Sequence, residues 1–297
     1  MLYFNLSTYL REKYGKRLKK ICIDGGFSCP NRDGKCGTGG CIYCGERGAG
    51  EHIDAKAGIA VQVKRALSGA KEDDAFIAYF QNFTNTYAPI DVLRERYNSA
   101  LTDDRIKILA IGTRPDCIDE EVCELISEYA KEREVWVELG LQTASDQTAR
   151  IINRGYNTKR FDEAYRLLTE HGIKVIVHMI IGLPGEDIND YKYTADYIAK
   201  KHPFGVKIHS IYVMQGTALA DLYLQKRYTP PTLEEYAAAA AYAVARMPRD
   251  TVIHRLTGDC PKDLLIAPDW NKDKNEIISH ITDRIKKMGW CQGSITE

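Results

Sequence analysis

Six short β-rich runs, each followed by a stretch with helical spacing, predict an α/β protein built as a partial (β/α)6 TIM-like barrel with a C-terminal α-rich extension. Strand–helix alternation argues for a parallel sheet with helices outside it. The units recur mostly at about thirty residues, the size of one such unit. The 297 residues suit a single barrel or barrel arc. Periodicity alone leaves a doubly wound open sheet as the alternative.

In chain order, strands are expected at 18–23, 75–80, 106–112, 135–142, 174–182 and 205–212. Apolar residues at helical spacing predict helices over 59–67, 90–101, 119–131, 159–170 and 187–200. Pro89 suits a helix start, and Asp119 with the acids after it suits another. Gly172 marks a helix stop, and Pro203 bars the next helix from continuing. After Pro230-Pro231 the texture changes. An alanine-rich helix at 234–246, a short strand at 251–253 and a final helix at 274–288 are expected there. The organisation read from this is a core over 1–230 and an extension over 231–297 packed on the barrel.

Lys+Arg and Asp+Glu are each 41, so the chain is neutral, which excludes a wholly basic coat for nucleic acid but not a local patch. Hydrophobic residues are 44% and charged residues 28%, ordinary for a globular protein and unlike disordered or fibrous chains. No apolar run approaches the roughly 20 residues that span a bilayer. The start lacks a basic n-region and a small-residue cleavage site. A cytoplasmic protein without a membrane partner is expected. Nine cysteines, an odd number in a reducing compartment, argue for metal or redox chemistry over a disulfide framework.

Cys29, Cys36, Cys41 and Cys44 fall with seven glycines in the 22 residues after the first strand. Glycine lets backbone approach an inorganic centre closely and take positive φ. The Cys41-x-x-Cys44 pair can place two thiolates on one metal or cluster. All four thiolates could close a zinc knot. Three of them could hold a [4Fe–4S] cluster with one open iron. A thioredoxin-like pair fits poorly, because Cys41 opens no redox helix.

Cys41-Ile-Tyr43-Cys44 resembles the cluster-binding loop of radical S-adenosylmethionine (radical SAM) enzymes. Their commonest spacing is Cys-x3-Cys-x2-Cys, whereas here it is Cys29-x11-Cys41-x2-Cys44. The widened gap, and the Gly-Gly-Phe-Ser-Cys-Pro-Asn-Arg-Asp-Gly run at 25–34, resemble relatives of the Elongator catalytic subunit and a poorly assigned bacterial subfamily. Cys36-x4-Cys41-x2-Cys44 is the other conceivable triad; the flanks of Cys29 favour Cys29. Ile111-Gly-Thr-Arg-Pro-Asp-Cys-Ile118, Leu139-Gly-Leu-Gln-Thr143 with Ile152-Asn-Arg-Gly155, and Val177-His-Met-Ile-Ile-Gly-Leu-Pro-Gly-Glu186 extend the resemblance over most of 18–215.

The resemblance implies a [4Fe–4S] cluster on Cys29, Cys41 and Cys44, with S-adenosylmethionine (SAM) on the open iron. One electron then cleaves SAM to a 5′-deoxyadenosyl radical. It assigns SAM to strand-end residues: Gln142 and Arg154 for the ribose and carboxylate, Gln81, Asn82 and Thr84 for the amine, Gly182 for adenine room, and Tyr43 beside the cluster. It implies an external electron donor, a flavodoxin or ferredoxin; Cys117, Cys123 and Cys260 form no compact ferredoxin-type run, so one cluster is expected.

By strand alternation Glu138, Gly140 and Gln142 share one face, suited to a lumen holding a polar ligand. Glu138, His178, His209 and Tyr212 are the substrate candidates, with Lys207 beside them. The blander readings are a helix cap for Gln142, a surface ion pair for Arg154, a satisfied interior histidine for His178 and a Glu138–Arg114 pair. Residues 11–20 carry six bases and one acid, which could grip phosphates or form a solvated helix face. Elongator-type relatives act on the wobble uridine of tRNA, so a nucleobase, and that side chain in particular, is the expected substrate. The chain's length leaves no room for an added acetyltransferase domain, so acetyl transfer is not expected. A free small molecule, a 7-deazaguanine-type base such as queuine or a tetrapyrrole, is the alternative, and a non-catalytic zinc-stabilised RNA-binding module a third reading.

Overall fold

One sheet of seven parallel strands organises the molecule, in a computed structural model that describes residues 2–48, 53 and 56–296. Its strands are β1 (Lys19–Ile23), β2 (Phe76–Phe80), β3 (Ile106–Thr113), β4 (Glu134–Gln142), β5 (Lys174–Ile181) and β6 (Gly205–Ser210), with β8 (Val252–Arg255) completing it. The short strand β7 (Val213–Met214) pairs apart, antiparallel to β9 (Leu265–Ala267). The large sheet runs β1-β2-β3-β4-β5-β6-β8 without reversal, which makes it a half-barrel. A doubly wound sheet reverses strand order at a switch point, and this one does not. The strands are buried on both faces, hence their nearly continuous apolar sequences.

The expected short strand near 251–253 turns out to be β8, the seventh strand, so residues beyond Pro231 extend the half-barrel. Two short helices, α5 (Asp146–Ile151) and α8 (Ala218–Leu224), lie where no helix is expected. Fewer than two full turns of apolar spacing leave no periodic signal. The outer layer is α2 (Ile59–Leu67), α3 (Ile90–Ala100), α4 (Glu120–Ala130), α6 (Thr158–Glu170) and α7 (Ile188–Ala199). Then come α9 (Leu233–Arg246) and α10 (Lys274–Lys287). A capping box between Thr232 and Glu235 starts α9. Its buried Ala239, Ala240, Ala241 and Ala243 let it lie close against its neighbours.

The first helix, α1 (Leu6–Tyr14), plugs the half-barrel at the amino ends of its strands. Leu10 packs there with Ile77, Ile108, Trp136 and Ile176. For most of residues 11–20 this favours the helix-face reading over the phosphate grip. Lys13 pairs with Glu134 at 2.7 Å, Lys16 donates to the Asp73 carbonyl at 2.6 Å and Lys19 pairs with Asp74 at 2.6 Å. The segment is staked to the closed end of the sheet, opposite the cysteine loop.

Glu134 is the centre of that plug. It accepts from Tyr9, from Tyr14 at 2.6 Å, from Trp136 Nε1 at 2.8 Å and from Lys174. Burial alone would raise its carboxyl, but Lys13, Lys174, Tyr14 and Tyr9 hold it down to about 2. Burial lowers Lys174 in turn, yet the carboxylate has several donors and governs the acid limb. A lowered carboxylate contributes stability above its unfolded value, near 4.5, and loses it as pH falls towards 2. Glu134→Gln should therefore lower stability at neutral pH and flatten its decline between about pH 4.5 and 2, as read by denaturant unfolding at each pH. An unchanged acid limb would contradict this role.

Candidate active site

The loop from Asp24 to Gly45 folds around two buried polar side chains, Asp24 and Asn31, and the half-buried Arg32. The Asp24 carboxylate accepts from the Gly26 N–H at 2.9 Å and from Asn82 Nδ2 at 2.6 Å. Asn31, fully buried, donates to the Asn153 carbonyl at 2.6 Å, and its amide lies 3.9 Å from Cys41 Sγ. The Arg32 guanidinium spans the carbonyls of Cys44 (3.3 Å), Gly45 (2.6 Å) and Glu46 (3.1 Å). Glycine is required where the loop closes on them. A Cβ at Gly37 would lie 2.4 Å from Asn31 Oδ1, and one at Gly40, whose φ is +77°, 2.8 Å from Arg32 Nε. The Pro-Asn-Arg-Asp-Gly run thus shapes the cysteine loop.

Cys29, Cys41 and Cys44 line a cavity of about 220 Å³ at the carboxyl ends of the strands. Cys36 is exposed, lies outside that lining and hydrogen-bonds with Asp116. Among the described residues no three His, Cys, Asp or Glu side chains gather closely enough for a single metal ion. With Cys36 outside the lining, the four thiols do not converge as the closed set that structural zinc takes. A hydrogen bond with Cys44, the charge of Arg114 and contacts from Tyr43 and Asn31 outweigh burial and lower the Cys41 thiol to about 6. A thiolate is the soft ligand that an iron–sulfur cluster takes. Three lining thiols, one already poised as thiolate, in a glycine-shaped loop fit such a cluster.

Gln142 ends β4 with φ +68°, where the β4–β5 register shifts between Gly140 and Gln142. A bulge of this kind re-aims a side chain. A Cβ at Gly140 would sit 3.0 Å from Gln142 Nε2 and 3.2 Å from the Tyr156 hydroxyl, so the glycine keeps this wall open. Gln81, Thr84, Tyr43 and Tyr212 line the same cavity.

Three expected cofactor residues lie elsewhere. Asn82 is fully buried on Asp24. Gly182 shapes the wall from behind: its carbonyl accepts from Tyr228 at 2.6 Å, and a Cβ there would meet Ile211 at 2.4 Å. Arg154 is fully buried, its guanidinium donating to the carbonyls of Leu141, Thr143 (2.7 Å) and Tyr156 (3.0 Å). From this buried position it also pairs with the partly exposed Asp146 at 3.6 Å, and it does not line the cavity. The guanidinium groups that do face the cavity are those of Arg32 and Arg114, the latter bound to Asp116 at 2.7 and 2.9 Å and stacked 4.9 Å from the Tyr156 ring centre. Tyr156, two positions after Arg154, escaped the sequence reading, as did Tyr79.

The cavity floor is charged. Glu138 is buried, accepting from His178 Nε2 at 3.0 Å and from Lys207. The Glu138–Arg114 pair expected from sequence does not form. Burial would raise the Glu138 carboxyl, yet Lys207 and His178 hold it well below the carboxylate range. Burial lowers Lys207 to about 7 against the pull of Glu138. The His209 ring lies 5.1 Å from that of His178, and its buried Nε2 has no hydrogen-bond partner. The site thus brings together Glu138, His178, His209 and Tyr212 with the three cysteines.

Comparison with known proteins agrees with this geometry. The radical SAM superfamily model matches residues 34–198, more than half of the chain, and the radical SAM C-terminal domain model matches 203–287. The uncharacterized protein YtqA of Bacillus subtilis (strain 168) is 36% identical over 295 residues, 98% of this chain and 92% of that one. A tRNA uridine(34) acetyltransferase of Methanocaldococcus jannaschii is 30% identical over 168 residues, 55% of this chain but 30% of that protein. Among solved structures, the archaeal Methanocaldococcus infernus Elp3 with an N-terminal deletion superposes with a TM-score of 0.69 at 20% identity. That match covers 93% of this chain and 64% of the archaeal one, and it shows a shared fold. Among the described residues no helix is long and apolar enough to cross a membrane. The chain belongs to the radical SAM superfamily and is an enzyme of that family, using a [4Fe–4S] cluster and SAM.

Proposed function

We propose that this enzyme modifies a nucleobase, and that its substrate is the wobble-uridine side chain of tRNA. The observation that carries the reading is the relationship to a tRNA uridine(34) acetyltransferase over 55% of this chain. Cys29, Cys41 and Cys44 would hold the cluster, and Gln142, Gln81, Thr84 and Tyr43, which line the same cavity, would hold SAM. When bound, the two supply hydrogen abstraction by a 5′-deoxyadenosyl radical, fed by one electron from outside, for which a flavodoxin or ferredoxin is the proposed donor.

The chain's own residues set the chamber. The α1 plug closes the lower end of the lumen against water. Gly140 leaves room beside Gln142, and Tyr156, whose hydroxyl donates to the Gly140 carbonyl at 2.7 Å, carries the Arg114 guanidinium on its ring. Glu138, locked between Lys207 and His178, fixes the polar floor against which a base would be oriented. Lys207, held to about 7 chiefly by burial, can keep or release a proton at its Nζ near neutral pH.

The test is anaerobic reconstitution with reductant, SAM and tRNA from cells lacking the gene, followed by nucleoside analysis. We expect 5′-deoxyadenosine together with an altered wobble uridine. Unchanged tRNA nucleosides alongside consumption of a free 7-deazaguanine-type base or tetrapyrrole would overturn the tRNA reading and leave the radical chemistry intact.

A further inference from the structure

The half-barrel does not close, and its open side is lined by cations. Strands β1 and β8 are the sheet's two edges. Along β1, Ile21 and Ile23 are buried on the helix side, so Lys20 and Cys22 face the lumen. Cys22 lies opposite Tyr79, and Lys207 lies opposite Arg255 across from it on β8. Lys20 Nζ and Lys207 Nζ each sit 4.7 Å from the centre of the Tyr79 ring. The exposed Cys22 thiol is within electrostatic reach of Lys20, Lys207, Arg255 and Glu138.

Lys20 and Arg255 thus border one accessible space, with the buried Lys207 behind them. The acids nearby do not balance them. Glu138 is engaged by both Lys207 and His178, and Asp259 is shared between Arg255 at 3.1 Å and Lys274 at 2.7 Å. Like charges held together repel one another unless an anion sits among them, and a cleft of one sign with low-dielectric walls concentrates anions. Lysine and arginine donors around one point suit a carboxylate or phosphate through charge-assisted hydrogen bonds. Tyr79 and Glu138 belong to this space and to the cavity floor alike, so a ligand here touches whatever occupies the cavity.

We propose that the open side between β1 and β8 is an oxyanion subsite, in which Lys20 and Arg255, backed by Lys207, hold a carboxylate or phosphate of the substrate. This rests on the cavity being the reaction chamber and is independent of whether the substrate is tRNA.

Cys22 offers a direct probe. The anaerobic holoenzyme is alkylated with iodoacetate or with iodoacetamide, which react alike but differ in charge, and modification of Cys22 is followed by peptide mass spectrometry. We expect the iodoacetate-to-iodoacetamide rate ratio at Cys22 to exceed that of N-acetylcysteine amide roughly tenfold. Lys20→Gln and Arg255→Gln, both on the open side, should each bring it down towards the free-thiol value. At constant ionic strength, inorganic phosphate or acetate should protect Cys22 saturably and chloride should not. Protection by phosphate identifies a phosphate site, and protection by acetate alone a carboxylate site. A ratio equal to that of the free thiol overturns the proposal, as does an elevated ratio with no saturable protection. Neither result bears on nucleoside changes in tRNA, so the two readings fail separately.

Discussion

Cys29→Ala, Cys41→Ala or Cys44→Ala should leave the anaerobically reconstituted protein with almost none of its roughly four irons per chain and abolish formation of 5′-deoxyadenosine. Cys36→Ala should keep both. The contrast follows from placement. Cys29, Cys41 and Cys44 line the cavity, while Cys36 is exposed and turned to Asp116. It also decides between the two triads that spacing leaves open. Iron analysis and chromatography of the deoxyadenosine product check it. Loss of iron in Cys36→Ala with retention in Cys29→Ala would reverse the assignment.

Glu138→Ala should be the most destabilising single change at the cavity floor. Glu138 and Lys207 are both nearly excluded from solvent, and His178 donates to the same carboxylate oxygen. Removing the acid leaves the ammonium buried without a partner, at a cost of about 3–5 kcal/mol. For a chain of this size that is near 10 °C in Tm, on the order of 2–4 °C per kcal/mol. The burial that already lowers Lys207 to about 7 lets it shed its proton, which places the loss at the lower end of that range. Glu138→Leu combined with Lys207→Met should recover most of the loss, since an apolar pair of similar volume removes the uncompensated charge. Thermal unfolding of the anaerobic holoenzyme measures both. A double variant less stable than the single one would show that the ion pair itself carries the stability.

Parallel strands with both faces buried write themselves as apolar runs, which is why β2 to β6 were legible from sequence alone. The cysteine loop was equally legible, because a centre bound by thiolates needs both the cysteines and the glycines around them. What escaped depends on side-chain direction and chain path. Arg154 follows β4 closely in sequence, but its guanidinium turns inward to the carbonyls of Leu141 and Thr143, and Arg114 from the end of β3 takes the cavity. No spacing rule distinguishes two arginines on neighbouring loops. The β8 strand is four residues long and sits between an alanine-rich helix and a loop, so nothing in it signalled pairing with β6. The basic run at 11–20 has the composition of a phosphate-binding face. Its lysines are taken up by Glu134, Asp73 and Asp74, partners distant in sequence, and Lys20 alone of the set points into the lumen.

Electron paramagnetic resonance of the dithionite-reduced protein, with and without SAM, reaches the centre of the account directly. Three thiolates on four irons leave one iron free, so a reduced cluster signal should appear and its g-values should move when SAM is added. A cluster signal indifferent to SAM, or zinc in place of iron in oxygen-free preparations, would contradict it.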